Sequence, residues 1–521
     1  MPHPVYPLRA MPPFVEFSLA AIPLALLVLL MLVARWSAAK AGATALAAAL
    51  VLGWAYFGFG ETSRLQATLG SLLEALFTTA FILWIIFAAL CVYYLQLATG
   101  ATETLKDAAF RLARSPVTLI IIVAWFFPLF MEGAAGFGTP IALAAPLLVS
   151  LGVSPVNAVA IGLIGHAAGV SFGAVGTPVF VQSVITGFDA AELARNIAPY
   201  QAAAGWVLLG ATVYLGVRAM PGRPAIGLSG VGWTLTAGAL FLGPYVAIAM
   251  ILGPELPTLG AAAIGGLSFA FLLVIARRRR APEPMDDRDS GSSRRSILWA
   301  SAPYLALVAL VLITRLVPGV REALQAVTLE WTLPGGFSGT AQPLYHPGTI
   351  LFLIFVIGGV FQRAGWQRQR QAAGAALRRL GAVSVALVVM LTLSRLLLHA
   401  GMIDTMASAS ADVVGNVWPA LAPGLAALGS FVTGSATASN VLFTDFQLQV
   451  ARLLGAQELA VMGAQGFGGA MGNIVSPHNI IAGSATVGIV GQESAVLRKI
   501  MPVFLACLLV GGVLALAWSS T

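Results

Sequence analysis

The stretch of the sequence best suited to chemistry sets one carboxylate among glycines and prolines inside a long apolar segment. It reads Pro128-Leu-Phe-Met-Glu132-Gly-Ala-Ala-Gly136-Phe-Gly138-Thr139-Pro140. An ionisable residue is costly inside a membrane segment, so Glu132 is a candidate for binding and releasing a coupling proton. Gly136, Gly138 and Thr139 could let backbone amides approach an anion, as at a helix N-terminus. The alternatives are a structural glutamate bonded to loop amides and a glycine-rich packing face between helices.

A second polar stretch offers hydroxyls and an amide without net charge, in the order Thr433-Gly-Ser435-Ala-Thr437-Ala-Ser439-Asn440. Such groups could bind the carboxylate and the hydroxyl of an organic anion without burying a full opposite charge. The candidate ligands are Ser435, Thr437, Ser439 and Asn440. The alternative is small-residue helix packing, with each hydroxyl bonded to the preceding helical turn.

Two further stretches, 171–178 and 472–479, place a polar residue before a proline. This pattern suits an unwound segment that is followed by a half-helix. Ser476 in the second stretch is a candidate substrate ligand, and His166 and His478 are candidate proton shuttles. A buried histidine is alternatively a structural hydrogen-bond donor, and this interpretation stays open for both.

The apolar run 382–400 carries Arg395 and His399 four residues apart, on one helix face, with Asp404 just beyond it. The guanidinium of Arg395 could bind a substrate carboxylate with two hydrogen bonds. His399 is a further candidate for proton coupling. The alternative is an ion pair between Arg395 and Asp404, or an interfacial position for the arginine.

Three stretches of the first half of the chain recur in the same order in the second half. Gly133 matches Gly434, Pro178 matches Pro477 and Arg195 matches Arg498, at offsets of 434 − 133 = 301, 477 − 178 = 299 and 498 − 195 = 303. Recurrence at nearly one offset indicates an internal duplication. Gly- and Pro-interrupted apolar segments at corresponding positions of two halves are typical of secondary transporters.

The composition excludes a water-soluble protein. Of 521 residues, 59% are hydrophobic and only 9% are charged, with a mean hydropathy of +0.90. Soluble domains carry about 25% charged residues, so the chain is predicted to cross the membrane many times. The net charge of +8 lies mainly in loops, which fits the positive-inside rule better than nucleic-acid binding. The two cysteines, Cys91 and Cys507, lie in apolar runs, which argues against a disulfide framework or a metal site.

The predicted fold is an all-α polytopic membrane protein with about twelve transmembrane helices, including discontinuous or re-entrant segments. Runs long enough to cross about 30 Å of hydrocarbon are 14–35, 41–60, 70–98, 198–219, 229–252, 256–276, 297–318, 347–364, 382–400 and 498–519. Two blocks between these runs, 116–195 and 416–497, are apolar but broken by Gly, Pro, Ser and Asn.

The chain is predicted to contain two inverted-topology repeats. The first covers 14–219, the helix pair 229–276 connects it to the second repeat at 297–519, and 277–296 is a cytoplasmic linker. The Arg and Lys clusters fall on one side, the cytoplasm, if the N-terminus is outside. The two broken blocks then cross in opposite directions. Residues 101–114 carry their charges on one helical face, which predicts an interfacial cytoplasmic helix.

At these residues the sequence resembles the lactate permease family, which includes L-lactate and glycolate permeases. The motifs that carry the resemblance are Leu129-Phe-Met-Glu132-Gly-Ala-Ala-Gly-Phe-Gly138-Thr-Pro140, Phe172-Gly-Ala-Val-Gly176, Gly253-Pro-Glu-Leu-Pro257, Thr433-Gly-Ser-Ala-Thr-Ala-Ser-Asn440 and Val487-Gly-Ile-Val-Gly-Gln-Glu493. The resemblance implies proton-coupled uptake of a short 2-hydroxy-monocarboxylate across a bacterial plasma membrane. The partners would be a small organic anion, a proton and the lipid bilayer, with no nucleic acid and no cofactor.

The sequence departs from the pattern expected of lactate transporters in that family. Ala436 stands where an Asp is expected, Asn473 where a Lys is expected and His478 where a Gln is expected. Arg395 and His399 fall where uncharged residues are expected. The transport class is compatible with these changes, whereas the substrate stays open.

Several other functions remain as alternatives. Within transport, a dicarboxylate or sulfonate could be the substrate, and sodium could replace the proton. An anion channel is a different class, which broken segments in an inverted repeat disfavour. An enzyme is not expected, because the sequence shows neither a nucleophile–base set nor a metal-binding cluster in its spans.

Overall fold

The protein is almost entirely helical. The computed structural model describes residues 12–60, 63–104, 115–136, 138–222, 224–278 and 294–519. Within these ranges eleven helices are long and apolar enough to cross a membrane, or twelve if the bent pair Gly365–Gly381 and Val383–His399 forms one span. The predicted all-α, multi-pass fold with about twelve spans is confirmed.

The elements follow the chain in three groups. The first comprises α1 (Pro13–Leu32), α2 (Ala38–Ala55), α3 (Arg64–Ala98), α4 (Pro116–Ala134), α5 (Thr139–Ser150), α6 (Pro155–His166), α7 (Gly173–Thr186) and α8 (Ala190–Ala219). The second is the pair α9 (Leu228–Leu252) and α10 (Pro257–Arg278). The third comprises α11 (Arg294–Leu316), α12 (Pro318–Gln325), β1 (Leu329–Leu333), β2 (Phe337–Ala341), α13 (Pro347–Phe361), α14 (Gly365–His399), α15 (Met402–Val414), α16 (Trp418–Thr433), α17 (Ala436–Leu454), α18 (Glu458–Val475), α19 (Pro477–Thr486) and α20 (Glu493–Ser519).

Both broken blocks show the same order of helices and interruptions. The series α4 to α8 has breaks after α4 and after α6, and the series α16 to α20 has breaks after α16 and after α18. Corresponding helices begin at similar offsets, for example 458 − 155 = 303 and 493 − 190 = 303. This recurrence fits the predicted duplication, while the opposite orientation of the two repeats stays a prediction.

Within each block the helices approach one another closely because glycines face carbonyl groups. A Cβ added at Gly165 of α6 would overlap the Ala124 carbonyl of α4, and one added at Gly472 of α18 would overlap the Ala427 carbonyl of α16. Association of helices in lipid depends on such close packing, because lipid tails are as apolar as leucine side chains. One buried apolar cluster contains residues from both blocks.

A small antiparallel hairpin lies between α12 and α13, where the sequence showed only a polar stretch. Strands β1 and β2 pair from Leu329 with Ala341 to Leu333 with Phe337. The hairpin rests on α3, because Phe337 is buried against Gly70 and the amide of Ser338 donates to Glu74 at 3.0 Å.

Two predicted segments lie largely outside the described residues. These are residues 105–114 of the predicted interfacial helix and residues 279–293 of the predicted linker. The predicted run 382–400 belongs to the longer α14, which begins at Gly365.

Candidate functional site

The interruptions of both blocks meet at one cavity, which we call the central cavity. It has a volume of about 50 Å³, which is room for several water molecules. The residues that line it are Glu132, Gly136, Gly138, Val170, Gly173, Ala174, Thr177, Pro178, Gly434, Ser435, Ala436, Thr437 and Asn473. The two polar stretches singled out in the sequence, about 300 residues apart, are therefore in contact with the same space.

The first interruption is a glycine turn between α4 and α5. Gly136 and Gly138 have φ angles of 57° and 79°, in the left-handed region that favours glycine. Gly138 is the N-cap of α5 and lines the cavity, so the positive end of that helix lies next to it. The Thr139 hydroxyl donates to the Gly136 carbonyl at 2.7 Å and stabilises the turn. Thr139 is not among the cavity-lining residues.

The second interruption places three consecutive residues of α7 in the left-handed region. Ala174, Val175 and Gly176 have φ angles of 44°, 55° and 80°. A non-glycine residue in this region costs about 1–3 kcal/mol. The Thr177 hydroxyl donates to the Ala174 carbonyl at 2.6 Å and helps to hold this conformation. Strain of this kind persists where the surrounding structure imposes it, which is common at ligand sites.

Glu132 is the ionisable residue of the central cavity. Its side chain is buried, and its Oε1 atom lies against the backbone of Gly173, so closely that a Cβ at Gly173 would overlap it. No hydrogen bond joins its carboxylate to the described amides of the neighbouring loop. Residue 137 of that loop lies outside the described residues, so the structural and the proton-binding interpretations of Glu132 both stay predictions.

The second polar stretch divides into cavity-lining residues and supporting residues. Ser435 is the N-cap of α17, where its hydroxyl accepts from the Ala438 amide at 3.3 Å, and both Ser435 and Thr437 line the cavity. Ser439 and Asn440 lie outside the lining set. The Ser439 hydroxyl donates to the Ala426 carbonyl at 2.5 Å.

Asn440 joins the two blocks. Its amide nitrogen donates to the Pro178 carbonyl of α7 at 2.9 Å, and its oxygen accepts from Gln465 of α18 at 3.1 Å. The nitrogen and the oxygen of the Asn440 amide are therefore both hydrogen-bonded to other residues of the protein. Asn440 stabilises the wall behind the cavity and holds the broken α7 against α17.

Asn473 is a lining residue that the sequence reasoning did not assign to the site. Its amide nitrogen donates to the Gly434 carbonyl at 3.2 Å, and its oxygen accepts from Asn479 at 2.8 Å. The signal was present, because the stretch 469–477 matches 173–178, whose residues also line the cavity.

The candidate histidines lie apart from the lining set. The His166 Nδ1 atom lies 2.8 Å from the Gly162 carbonyl of the same helix, so it carries the proton and donates it there. His399 Nε2 lies 2.8 Å from Glu74, next to the hairpin. His478 is exposed on α19, with its ring against Gly434.

Ser476 and Arg395 also lie outside the lining set. Ser476 is the N-cap residue of α19, and its buried hydroxyl has no hydrogen-bond partner among the described residues. Arg395 is half-buried on α14, close enough to Asp445 of α17 for its charge to act on that carboxylate.

Comparison with known proteins gives the family. The sequence profile described as L-lactate permease matches residues 16–519, which is nearly the whole chain. The chain belongs to the L-lactate permease family. Its helices and its membership identify it as a multi-pass protein of the bacterial inner membrane, in a family of permeases rather than of enzymes.

Several curated relatives resemble this member of the family over most of its length. It is 28% identical over 388 residues to an L-lactate permease of Streptococcus iniae, covering 72% of this chain and 78% of the relative. It is 27% identical over 470 residues to the L-lactate permease of Escherichia coli K12, covering 80% of each chain. It is 26% identical over 462 residues to the glycolate permease GlcA of the same strain, again covering 80% of each.

Two of the departures from the expected family pattern lie at the central cavity itself. Ala436 and Asn473, where an Asp and a Lys are expected, both line it. Glu132 is the sole ionisable side chain among the described lining residues. The expected acid is Ala436 here and the expected base is Asn473, so neither position carries a charge.

Proposed function

We propose that this chain is a secondary active transporter of short 2-hydroxy-monocarboxylates, such as L-lactate and glycolate, and that it moves them together with a proton. One observation carries the proposal. A single buried carboxylate, Glu132, lies in a cavity formed where the interrupted helices of both blocks meet. The substrate class comes from relatives that are named L-lactate and glycolate permeases.

The central cavity can compensate one negative charge with dipoles alone. Gly138 and Ser435 are the N-caps of α5 and α17, so the positive ends of two helices lie beside the cavity. The uncharged polar side chains that line the cavity are Thr177, Ser435, Thr437 and Asn473. A site without an obligate cation leaves no unpaired buried cation when the substrate departs.

Charge repulsion in this cavity supports the proposal of proton coupling. A substrate carboxylate next to an ionised Glu132 would place two like charges in a buried site, which strongly disfavours the doubly ionised state. Binding is therefore favoured when Glu132 carries a proton. Release of that proton on the other side of the membrane would weaken substrate binding, which predicts one proton per monocarboxylate.

The lining favours a monocarboxylate over a dicarboxylate. Arg395, the cation that could bind a second anionic head, lies on α14 outside the described lining residues. A dicarboxylate would bring a second charge that the cavity dipoles do not neutralise. Sodium coupling remains the alternative that the experiment must separate from proton coupling.

The test compares Glu132→Gln with the unmodified protein in proteoliposomes. We expect Glu132→Gln to retain exchange of labelled L-lactate for unlabelled L-lactate, because exchange needs no net deprotonation. Accumulation driven by a pH gradient should be lost. Asp445→Asn is a matched control, since it also neutralises a buried acid but one outside the lining set.

Two results would contradict the proposal. If Glu132→Gln accumulates L-lactate uphill like the unmodified protein, Glu132 does not carry the proton. If accumulation follows a sodium gradient and ignores a pH gradient, the coupling ion is sodium.

A further inference from the structure

The first half of α14 and the turn before it carry positive charge that no acid balances. The chain has no Asp or Glu between Glu330 and Asp404. The arginines of this interval that precede the bend of α14 are all exposed, and they are Arg363, Arg368, Arg370, Arg378 and Arg379. Among the residues that the structure describes, no acidic side chain forms an ion pair with any of them. We call residues 363–381 the basic segment.

The length and the bend of α14 separate the basic segment from the apolar part of the helix. The helix has 35 residues, which is about 50 Å at 1.5 Å per residue, whereas the hydrocarbon core of a bilayer is about 30 Å thick. It bends by 42° between Gly365–Gly381 and Val383–His399. The apolar part begins after the bend, so the basic segment extends into the headgroup region, on the side that the loop charges predict to be cytoplasmic.

The basic segment has a buried side and an exposed side. Ala372, Ala376 and Leu380 are buried. Trp366 and Leu377, which are large and apolar, are 76% and 64% exposed. These two are eleven residues apart (377 − 366 = 11), which is about three helical turns. They therefore form an apolar row along the exposed side.

The arginines accompany this apolar row on the exposed side. Arg368 and Arg379 are also eleven residues apart (379 − 368 = 11), so they form a second row along the same helix. With 3.6 residues per turn, this row lies at the opposite edge of the exposed side, and Arg370 and Arg378 lie between the two rows. The guanidinium groups therefore point away from the neighbouring helices, next to exposed apolar side chains.

An anionic bilayer surface suits both parts of this pattern. Tryptophan is enriched at the membrane–water interface, and a guanidinium can bind a phosphate with two hydrogen bonds. Amphipathic helices with basic residues bind anionic lipids through buried apolar area together with charge. A nucleic acid or an acidic protein would pair with the arginines and leave the apolar row in water, so lipid is the better match.

We propose that the basic segment is a binding surface for anionic phospholipids. The phosphate groups of the lipids accept hydrogen bonds from the arginines, and Trp366 and Leu377 enter the upper acyl region. The segment lies outside both broken blocks and outside the lining of the central cavity. The proposal therefore does not depend on the transported substrate.

The test measures which lipids contact the segment in the full-length protein. Cys91 and Cys507 are buried, so a nitrobenzoxadiazole fluorophore can be attached selectively to Gln367→Cys, at an exposed position of the basic segment. The protein is placed in phosphatidylcholine nanodiscs that contain a small fraction of spin-labelled lipid. We expect spin-labelled phosphatidylglycerol to quench the fluorophore more than spin-labelled phosphatidylcholine does at the same fraction, and high salt should reduce this preference.

A reporter elsewhere controls for a general enrichment of anionic lipid around the protein. Thr328→Cys is exposed just before β1, two residues from Glu330. A fluorophore at this position should be quenched equally by the two spin-labelled lipids. Equal quenching by the two lipids at Gln367→Cys as well would overturn the proposal, and so would the absence of quenching by either lipid there.

Arginine variants show whether charge causes the preference. In the Gln367→Cys protein, replacing Arg368 and Arg370 by Gln should lower the association constant of phosphatidylglycerol, relative to phosphatidylcholine, about fivefold for each arginine removed. Replacing the same two residues by Lys keeps the charge and should keep most of the preference. Arg321→Gln on α12 removes an exposed arginine next to Glu322 and should have no effect.

The variants also define the results that contradict the proposal. A preference for phosphatidylglycerol that persists in Arg368→Gln/Arg370→Gln would show that the lipid binds elsewhere. A preference that high salt does not change would show that it is not electrostatic. Either result would overturn the basic segment as an anionic lipid surface, and neither would affect the transport proposal.

Discussion

The position of Glu132 depends on the absence of a side chain at Gly173. The carboxylate oxygen lies against the Gly173 backbone, in space that a Cβ would occupy. We expect Gly173→Ala to displace the carboxylate and to reduce pH-driven accumulation of L-lactate by about tenfold, which corresponds to about 1.4 kcal/mol. The measurement is the accumulation ratio in proteoliposomes.

A matched glycine variant controls for changes in helix stability. A Cβ at Gly210 of α8 meets no heavy atom within 4 Å. Gly210→Ala should therefore leave accumulation unchanged. Equal accumulation by Gly173→Ala and Gly210→Ala would show that the contact between Gly173 and Glu132 has no functional importance.

The Asn473 side chain lines the central cavity, so its contribution can be measured as a change in L-lactate binding. Removing its amide takes a polar group from the lining and breaks the hydrogen bonds to Gly434 and Asn479. We expect Asn473→Ala to weaken L-lactate binding by about tenfold, a typical effect of losing one hydrogen bond to a charged group. Titration calorimetry of the purified protein gives the dissociation constant.

Asn157→Ala is the control for that measurement. Asn157 makes an exposed hydrogen bond to Ser154, on the short connection between α5 and α6. Its removal should not change L-lactate binding. An Asn473→Ala variant that binds like Asn157→Ala would remove Asn473 from the site.

At the scale of elements, Asn440 holds two broken helices together. Asn440→Ala would leave the Pro178 carbonyl of α7 and one amide hydrogen of Gln465 without this partner. We expect a loss of about 1–3 kcal/mol of stability, seen as a lower thermal unfolding temperature, and weaker binding of every transported acid. Asn196→Ala removes only a bond to Glu192 within α8 and should have a smaller effect.

The breaks in the helices could be predicted from the sequence, but their partners could not. Two groups of residues indicate where a membrane helix is interrupted: the glycines and prolines around Glu132, and the glycines that precede Pro178. Proline removes a helical backbone hydrogen bond, and glycine favours non-helical backbone. Thr437 lines the cavity and Ser439 does not. The rotation of α17 about its axis decides this, and the sequence does not give that rotation. The ring of His166 hydrogen-bonds to the Gly162 carbonyl of its own helix, α6. No spacing in the sequence could show this hydrogen bond.

The hairpin was not predicted, because its stability comes from contacts distant in sequence. Phe337 is buried against Gly70, and Ser338 bonds to Glu74, more than 260 residues earlier in the chain. Isolated two-stranded hairpins are marginally stable in water, so the polar segment around Gly335 and Gly336 gave no strong local signal.

At the scale of the whole molecule, the duplicated blocks are predicted to cross the membrane in opposite directions. Glu192 and Ser494 both lie in the first turn of their helices, α8 and α20, which begin 303 residues apart (493 − 190 = 303). If the repeats are inverted, the chain next to Arg195 is outside and the chain next to Arg498 is cytoplasmic, as the loop charges predict.

Cysteine labelling in intact cells can decide this orientation. The native cysteines are buried, and both Glu192 and Ser494 are exposed. We expect Glu192→Cys to react with a membrane-impermeant maleimide in intact cells, as Thr328→Cys, just before β1, should. Ser494→Cys should react only after the cells are permeabilised. If Glu192→Cys and Ser494→Cys react from the same side, the blocks are related by a parallel repeat, and the central cavity cannot be opened alternately by an inverted pair.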